Sequence, residues 1–502
     1  MQRRILPIAL FVCGALMGML GAATSRAGYI ETIGFGPREA GMGGAATAVA
    51  DSASAWYYNP AGLGQLEQED IQEVGLSQVV LPFVTQRSSA AEGGASHDIT
   101  PPIYNVYFPG TFRVGVPGLV FDLGGGTTWG TAIEWDQDHG PLRYSAYETS
   151  TFVETLSPAV GYHIGESGFY VGATFNVSAL RQMENRQKLG DGFFTDAAIA
   201  DIGVDLPFLR ELLDSKNGVD DGKFEIQSDQ EFPTGLAPSN TLDIDFAHFN
   251  YHLGLLFRKP GVPFSYGITY RDLMAVDYEG RAAVIWADDV KRLVNDNPLL
   301  VSLNGGPLVD EATRFRYRII FPRQVAVGIA YRPSEELLVA VDGVWTNWAT
   351  AWNKQRIQFL GDGLLGVKEQ LFERQFNDTF SVRTGIEYRV TADVRVQAGF
   401  WYDPTPVPKT TVDSGTLDGT RFIYSLGCTW REFLHHSLDE PALAGLDLST
   451  VAQLLHYPSR KFAVGQSVNL GGSKDFSTTV NDFPLELEAL ALSLGATLIY
   501  RY

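Results

Sequence analysis

The 502-residue chain carries 58 acidic against 38 basic residues, a net charge of −20, which excludes a general affinity for nucleic acid. Its length suits two or three ordinary domains or one large barrel. No G-x-S-x-G elbow, CxxC pair or HExxH helix occurs, so catalysis finds no foothold and the chain reads as a non-enzyme.

Arg3 and Arg4 precede an apolar run from Ile5 to about Ala23, and Ser25-Arg26-Ala27 offers small residues before Gly28. This pattern predicts a cleaved export signal over 1–27. A retained anchor is the alternative that the length permits, and Pro7 with the neighbouring glycines argues against it. Cleavage removes three arginines and no acid, leaving a still more acidic chain whose outer loops suit water and cation-bridged lipopolysaccharide. Only Cys428 then remains, so no intramolecular disulfide forms.

The stretch Gly36 to Gly64, GPREAGMGGAATAVADSASAWYYNPAGLG, organises the rest of the chain. Gly41, Gly43 and Gly44 flank Met42 and let the backbone turn sharply and lie close to a wall. Asp51 or Ser52 is placed to cap a short helix, which Asn59-Pro60 stops because proline cannot donate and restricts the residue before it. The bland alternative is a Gly/Ala linker, but Trp56-Tyr57-Tyr58 ahead of Asn59-Pro60-Ala61 is unlike linker composition.

This combination resembles the N-terminal plug of the FadL/TodX family of outer-membrane transporters for hydrophobic compounds. Arg38, Gly41 to Ala45, Ala50, Asp51, Ser54, Ala55 and Asn59 to Leu63 stand where that family has a G-x-R-x-x-G-M-G-G-A run followed by A-D-x-x-S-A-x-x-x-N-P-A-G-L. The resemblance implies a hatch over 28–69 inside a barrel over 70–502, with Gly41, Met42, Gly43, Gly44, Asn59, Pro60 and Ala61 as its gating residues.

Beyond residue 28 no uncharged apolar stretch reaches the roughly 18 residues of a membrane helix. Alternation recurs instead. Phe315, Tyr317, Ile319, Phe321, Val325, Val327, Ile329 and Tyr331 take odd positions against Arg316, Arg318, Gln324, Ala326 and Gly328. The same period of two runs through Phe380 to Tyr388, Val394 to Tyr402, Phe422 to Trp430 and Leu490 to Tyr502, and it puts the two sets on opposite faces of a strand. A soluble sandwich would bury the apolar set; a transmembrane barrel turns it to lipid and lines the lumen with the polar set. Strand length, aromatic strand ends and the export signal favour the barrel.

The expected strands are 71–83, 102–109, 118–135, 147–163, 168–182, 243–258, 263–286, 314–331, 337–360, 378–390, 394–403, 420–430, 453–470 and 484–502. That is an all-β, antiparallel transmembrane barrel of about fourteen strands with both termini in the periplasm. The segment 431–452 reads partly helical. The terminal aromatic Tyr502 looks like the signal read by the barrel-assembly machinery, although the family usually ends in Phe. Phe264 to Arg271, Phe321 to Tyr331, Val344 to Trp348 and Phe400 to Pro408 extend the family resemblance.

Within the lumen, Arg316, Arg318 and Arg383, with Arg389, Arg395 and Arg421, have two readings. One or two meet a fatty-acid carboxylate, or they pair with acids such as Asp342 and Glu387 and stiffen the wall. His248, His252, His435 and His436 do not converge as a metal site, and Asp214 to Glu225 has Val219 where a calcium loop needs glycine, so neither metal nor cofactor is expected.

Gly124-Gly125-Gly126 interrupts the third strand as a kink or a weak point. The resemblance implies that such a kink opens the wall sideways. Phe193, Phe194, Phe208 and Leu209 in the loop 183–242, and Leu299 and Leu300 in 287–313, are candidate capture residues, odd in loops unless they meet a greasy ligand. The expected function is passive uptake of long-chain fatty acids or similar molecules by a monomer. Alternatives are a channel for monoaromatic hydrocarbons, a general diffusion porin and a lipid-modifying enzyme.

Overall fold

The computed structural model describes residues 31–68, 70–88, 103–134, 146–187, 226–231, 248–286, 288–303, 305–362, 368–410, 418–433, 445–462 and 485–502. Its strands are β1 (Ile71–Ser88), β2 (Ile103–Tyr107), β3 (Thr111–Arg113), β4 (Leu119–Glu134), β5 (Ala146–His163), β6 (Phe169–Gln187), β7 (Ile226–Glu231), β8 (His248–Arg258), β9 (Phe264–Arg271) and β10 (Met274–Trp286). They continue as β11 (Glu311–Phe321), β12 (Gln324–Tyr331), β13 (Leu337–Thr346), β14 (Lys354–Phe359), β15 (Glu369–Glu373), β16 (Thr379–Arg389), β17 (Val394–Asp403), β18 (Arg421–Trp430), β19 (Leu446–Phe462) and β20 (Leu485–Arg501).

Antiparallel pairing runs from β4 through β5, β6, β8, β9, β12, β13, β16, β17, β18, β19 and β20 to β1 and β2, and the Tyr107–Gly126 pair joins β2 back to β4. With β2 and β3 as one interrupted strand, the ring closes on fourteen strands. The last strand zips to the first from Ile71–Arg501 to Ser88–Leu485, so no edge is left along that seam.

The faces follow the period-two pattern. Along β8, Phe249, Tyr251, Leu253 and Leu255 are exposed while Asn250, His252 and Leu256 are buried. Along β20, Leu490, Leu494 and Leu498 face out and Ala491, Ser493 and Thr497 face in. Apolar outside and polar inside is the arrangement lipid imposes, because backbone groups are satisfied in the closed ladder and only side chains meet hydrocarbon.

A second sheet, β7-β10-β11-β14-β15, extends the wall at the end away from the termini, and there the phase inverts. In β12 the even residues Gln324, Ala326 and Ala330 are buried, but across Pro322-Arg323 the buried residues of β11 are Phe315, Tyr317, Ile319 and Phe321. The same switch separates β9, with Ser265 and Thr269 buried, from β10, with Met274 and Val276 buried. It also separates β13 from β14, across the short helix Trp348–Trp352. Arg316 and Arg318 are therefore exposed outer-face residues, contrary to the expectation that they line the lumen. A single strand over 314–331 carries one phase in sequence; the break at Pro322-Arg323 re-registers it. Beyond the hydrocarbon zone water selects charged side chains for the outside and leaves the apolar set for the interior.

The thirteenth strand, Leu446–Phe462, also differs from expectation in beginning before 453, and 463–470 lie outside the described residues. Asp447, Ser449 and Gln453 face inward, and Asp447 accepts a 2.8 Å bond from Arg501, so polar residues that broke the apolar pattern are luminal partners. The remainder of the expected partly helical segment, 434–444, lies outside the described residues.

Candidate functional site

The segment from Glu31 to Leu66 lies inside the ring, almost wholly buried. It folds as a short helix at Pro37–Gly41, a turn of helix at Ala55–Tyr58 and a 3-10 turn at Pro60–Gln65. Its packing is backbone to backbone. Gly43 has φ +64°, and an added Cβ would stand 2.7 Å from the Phe400 nitrogen, so neither the turn nor the approach to β17 tolerates a side chain.

So short a segment cannot satisfy its own backbone, and the wall supplies partners. Asp342 accepts from Thr47 N–H at 2.8 Å, Ser265 donates to Ala48 O at 2.7 Å, Thr174 to Trp56 O at 2.9 Å and Arg271 to Tyr57 O at 2.7 Å. Asn59 Oδ1 accepts from Ala61 N–H at 3.1 Å, opening the 3-10 turn that Pro60 begins, while its Nδ2 donates to Thr47 O and Leu255 O. Met42, Ala61 and Gly44 are fully enclosed in the same region.

At the end carrying the termini, charges bolt the segment down. Arg38 donates to Glu387 of β16 (2.6 and 3.0 Å) and to Asp51 (2.7 Å). Asp51 also meets Arg258 at 3.1 Å and Arg332 at 3.4 Å. Burial alone raises the Asp51 pKa, but Arg38, Arg258 and Arg332 outweigh it and hold this carboxyl well below the usual range. Neighbouring Glu39 goes the other way: burial pushes its carboxyl up to about 7 despite Arg38 at 3.3 Å.

Phe35, Trp56, Tyr57 and Tyr58 form an aromatic cluster with centroids 4.6–5.7 Å apart. It rests on the glycine triplet of β4. An added Cβ would come within 2.5 Å of the Trp56 ring at Gly124, 2.8 Å of Phe108 at Gly125 and 2.7 Å of Phe35 at Gly126, whose φ is +153°. The wall is discontinuous here. Between the β3–β4 pairs at Thr111 to Arg113 and the lone Tyr107–Gly126 pair, the ladder reduces to Leu123 N–H on Gly110 O, and the Asn105 amide substitutes for backbone at Thr127.

Beyond the segment the inverted strands bury an apolar cluster. Phe315, Tyr317, Ile319 and Phe321 of β11 join Met274, Ile357, Phe359 and Trp348, and a register shift between Thr127 and Trp129 places Trp129 beside Phe321 (5.5 Å) and Trp348 (6.1 Å). Its floor is polar. Glu31 accepts from Gln324 at 2.9 Å and Tyr57 at 3.3 Å, with Arg383 at 3.7 Å and Arg271 at 4.0 Å. Arg383 and Arg421 both lie over Trp401, and Arg421 donates to Asp403 at 2.6 Å. Cavities of about 10 Å³ flank the floor, one lined by Trp129, Arg271 and Met274, the other by Glu31, Trp348 and Arg421; each has room for one water.

The structure thus brings together Gly41 to Gly44, Asn59 to Ala61, Gly124 to Gly126 and Arg383, and leaves Arg316 and Arg318 outside. Leu299 is exposed in the helix Pro298–Leu303, which also contains Leu300. Phe193, Phe194, Phe208 and Leu209 lie outside the described residues. Glu387, not Asp342, takes Arg38 and Arg395, while Asp342 caps the luminal backbone. Sequence reasoning missed Glu31, Arg271 and Gln324. Arg271 ends a family-like segment and so carried a signal, but nothing local marks Glu31.

A closed fourteen-stranded barrel, lipid-facing outside and filled by its own N-terminal segment, defines an outer-membrane transport barrel. A family model described as outer membrane protein transport protein (OMPP1/FadL/TodX) matches residues 23–440, and the chain belongs to this family. It is a transporter of hydrophobic compounds in the outer membrane. Similar solved structures include a Pseudomonas aeruginosa FadL homologue (TM-score 0.70, 14% identity, 94% of this chain and 99% of that one). The P. putida toluene transporter TodX gives a TM-score of 0.61 at 14% identity, again covering 94% and 99%. The Ralstonia pickettii toluene transporter TbuX gives 0.60 at 15% identity, with the same coverage. At such identities these likenesses speak to fold alone. None of the curated proteins matches the sequence.

Proposed function

We propose that this protein carries long-chain fatty acids passively inward across the outer membrane, with residues 28–69 as a hatch released after a signal over 1–27 is cleaved. The observation that carries this reading is the buried apolar cluster of Phe315, Tyr317, Ile319 and Phe321 bordering a polar layer that holds Arg271 and Arg383. An alkyl chain gains about 25 cal/mol per Å² buried among such side chains, and a carboxylate gains charge-assisted hydrogen bonds from the two guanidiniums. A monoaromatic hydrocarbon would use the first and leave the second idle. A general diffusion porin needs an open polar lumen, and here the lumen is packed with the chain's own backbone.

Capture at outer loops, including Leu299 and Leu300, precedes passage into the apolar cluster. Hatch movement around Asn59-Pro60-Ala61 and the discontinuity at Gly124 to Gly126 then provide a lateral way into the membrane. The protein works as a monomer, inserted by the barrel-assembly machinery among lipopolysaccharide, and no energy source is invoked.

The test is uptake of labelled oleate and of toluene by cells lacking their own hydrophobic-compound channel, expressing this protein or its Pro60→Ala variant. Oleate uptake that falls in the variant, with unchanged heat-modifiable migration, supports the reading. Uptake of toluene alone moves the substrate to aromatic hydrocarbons.

A further inference from the structure

A cavity of about 210 Å³ lies at the end of the barrel that carries the termini, between the helix Pro37–Gly41 and the inner face of the wall. That is many times the roughly 30 Å³ share of one water. Four arginines line it, Arg38, Arg395, Arg431 and Arg501, and its aliphatic side chains are few, so a hydrocarbon gains little there. Strand pairing sets the wall side as one band. Arg395 lies opposite Thr429 across β17 and β18, and Thr429 opposite Ser449 across β18 and β19. Arg431 follows two residues after Thr429, on the same inward face.

The acids of this region are engaged elsewhere. Glu387 takes Arg38 at 2.6 and 3.0 Å, which leaves Arg395 at 3.6 Å from it. Asp447 takes Arg501 at 2.8 Å, which leaves Arg431 at 3.9 Å. Both distances exceed a hydrogen bond. Asp51 is shared among three guanidiniums, and Glu73 accepts from Tyr107 O–H at 2.7 Å and Ala53 N–H at 3.2 Å. Glu39, pushed up to about 7 by burial, carries its proton much of the time at neutral pH and so adds less than a full negative charge. On the luminal-segment side the buried Ser52 hydroxyl interacts with Glu39 but closes no well-formed hydrogen bond. The cavity therefore holds two guanidiniums short of close partners, each about a third exposed at its mouth.

We propose that this cavity binds a small phosphate-bearing anion from the periplasmic side, held by Arg395 and Arg431. Two separate guanidiniums suit a dianion with several acceptor oxygens better than a single carboxylate, and the volume leaves room for a short organic substituent. One side of the cavity is the luminal segment and the other is the wall. The anion therefore has its site only while the segment is seated, and binding holds it there by mass action. This site is separate from the apolar cluster and independent of which hydrophobic molecule the barrel carries.

Equilibrium dialysis of labelled inorganic phosphate and of glycerol phosphate against the full-length protein in phosphatidylcholine nanodiscs, at ionic strength fixed with sodium chloride, tests the site. Both should bind at millimolar concentration, and hydrogen exchange across 31–58 should slow at saturation. Arg395→Met and Arg431→Met, each checked by heat-modifiable migration, should weaken both ligands about tenfold or more, and Arg431→Lys should keep part of the affinity. Arg113→Met, at the same end but paired with Asp70 at 2.9 Å and away from the cavity lining, should stay within about twofold. No binding at millimolar phosphate, or equal weakening by Arg113→Met, would overturn the site. Slowed exchange that requires phosphatidylglycerol in the disc, and not soluble phosphate, would overturn a soluble ligand and give the charge to a lipid head group.

Discussion

Arg38 of the luminal segment and Glu387 of β16 form a two-point pair, Nε to Oε2 at 2.6 Å and Nη2 to Oε1 at 3.0 Å, with 12% and 8% of their side chains exposed. The remaining guanidinium nitrogen reaches Asp51 at 2.7 Å. Arg38→Met should therefore leave Glu387 to Arg395 and Gln397, and Asp51 to Arg258 and Arg332, and cost the seating of the segment about 1.5–3 kcal/mol for the lost charged hydrogen bonds. Limited proteolysis of the folded barrel should show faster cleavage within 31–68. Pairing Arg38→Met with Glu387→Met should recover part of the loss, and strict additivity of the two would contradict a coupled pair.

Glu39 makes the seating pH-dependent. Burial pushes its carboxyl from 4.5 up to about 7, so the seated form binds more protons than the released form between those values. Stability gained from the neutral acid is full below about 4.5 and lost as pH rises through 7. Asp51, held low by three guanidiniums, titrates below this window and does not oppose the trend. Proteolysis of the segment should accelerate from pH 5 to pH 8 and lose part of that slope in Glu39→Gln, Glu73, which accepts from Ala53 N–H and is also raised by burial, keeping the rest; an unchanged slope in that variant would assign the effect elsewhere.

The Gly124 to Gly126 triplet should not accept side chains. A Cβ at Gly124 meets the Trp56 ring at 2.5 Å, and Gly126 holds φ +153°. Replacing the triplet by valines should abolish oleate uptake while heat-modifiable migration stays that of a folded barrel, because the lipid-facing ladder to β5 persists. Unchanged uptake would sink the lateral route.

Phase inversion at Pro322-Arg323 separates neighbours by function. Tyr317 faces the interior, 6% exposed, and Arg316 faces out. Tyr317→Arg should reduce oleate uptake at least tenfold by placing a charge in an apolar interior, whereas Arg316→Ala should stay within twofold. The opposite ranking would restore Arg316 to the lumen.

Much of this barrel was legible in the chain. Leu490, Leu494 and Leu498 alternate with Ser493 and Thr497, and alternation fixes the two faces of a strand by geometry alone. Gly41 to Gly44 and Asn59-Pro60-Ala61 were equally legible, since close backbone approach and helix termination are local demands. The family resemblance of that run supplied the rest of the plug.

Which face is inside was decided by the solvent on the other side of the wall, and that is not local. Arg316 and Arg318 alternate as Arg383 does, yet β11 rises past the lipid zone and inverts, while Arg383 in β16 stays buried at the floor. Glu31 belongs to no motif. Its partners Tyr57, Arg271, Gln324 and Arg383 come from a hatch turn and three strands, and only strand pairing together with seating of the luminal segment brings them within 4.0 Å. Sequence determined the strands, the plug and the family through short-range periodicity and backbone chemistry. Tertiary structure decided the buried apolar cluster, the Glu31 layer beneath it and the Arg38–Glu387 bolt, because charge pairing across a lumen depends on which strands end up facing one another.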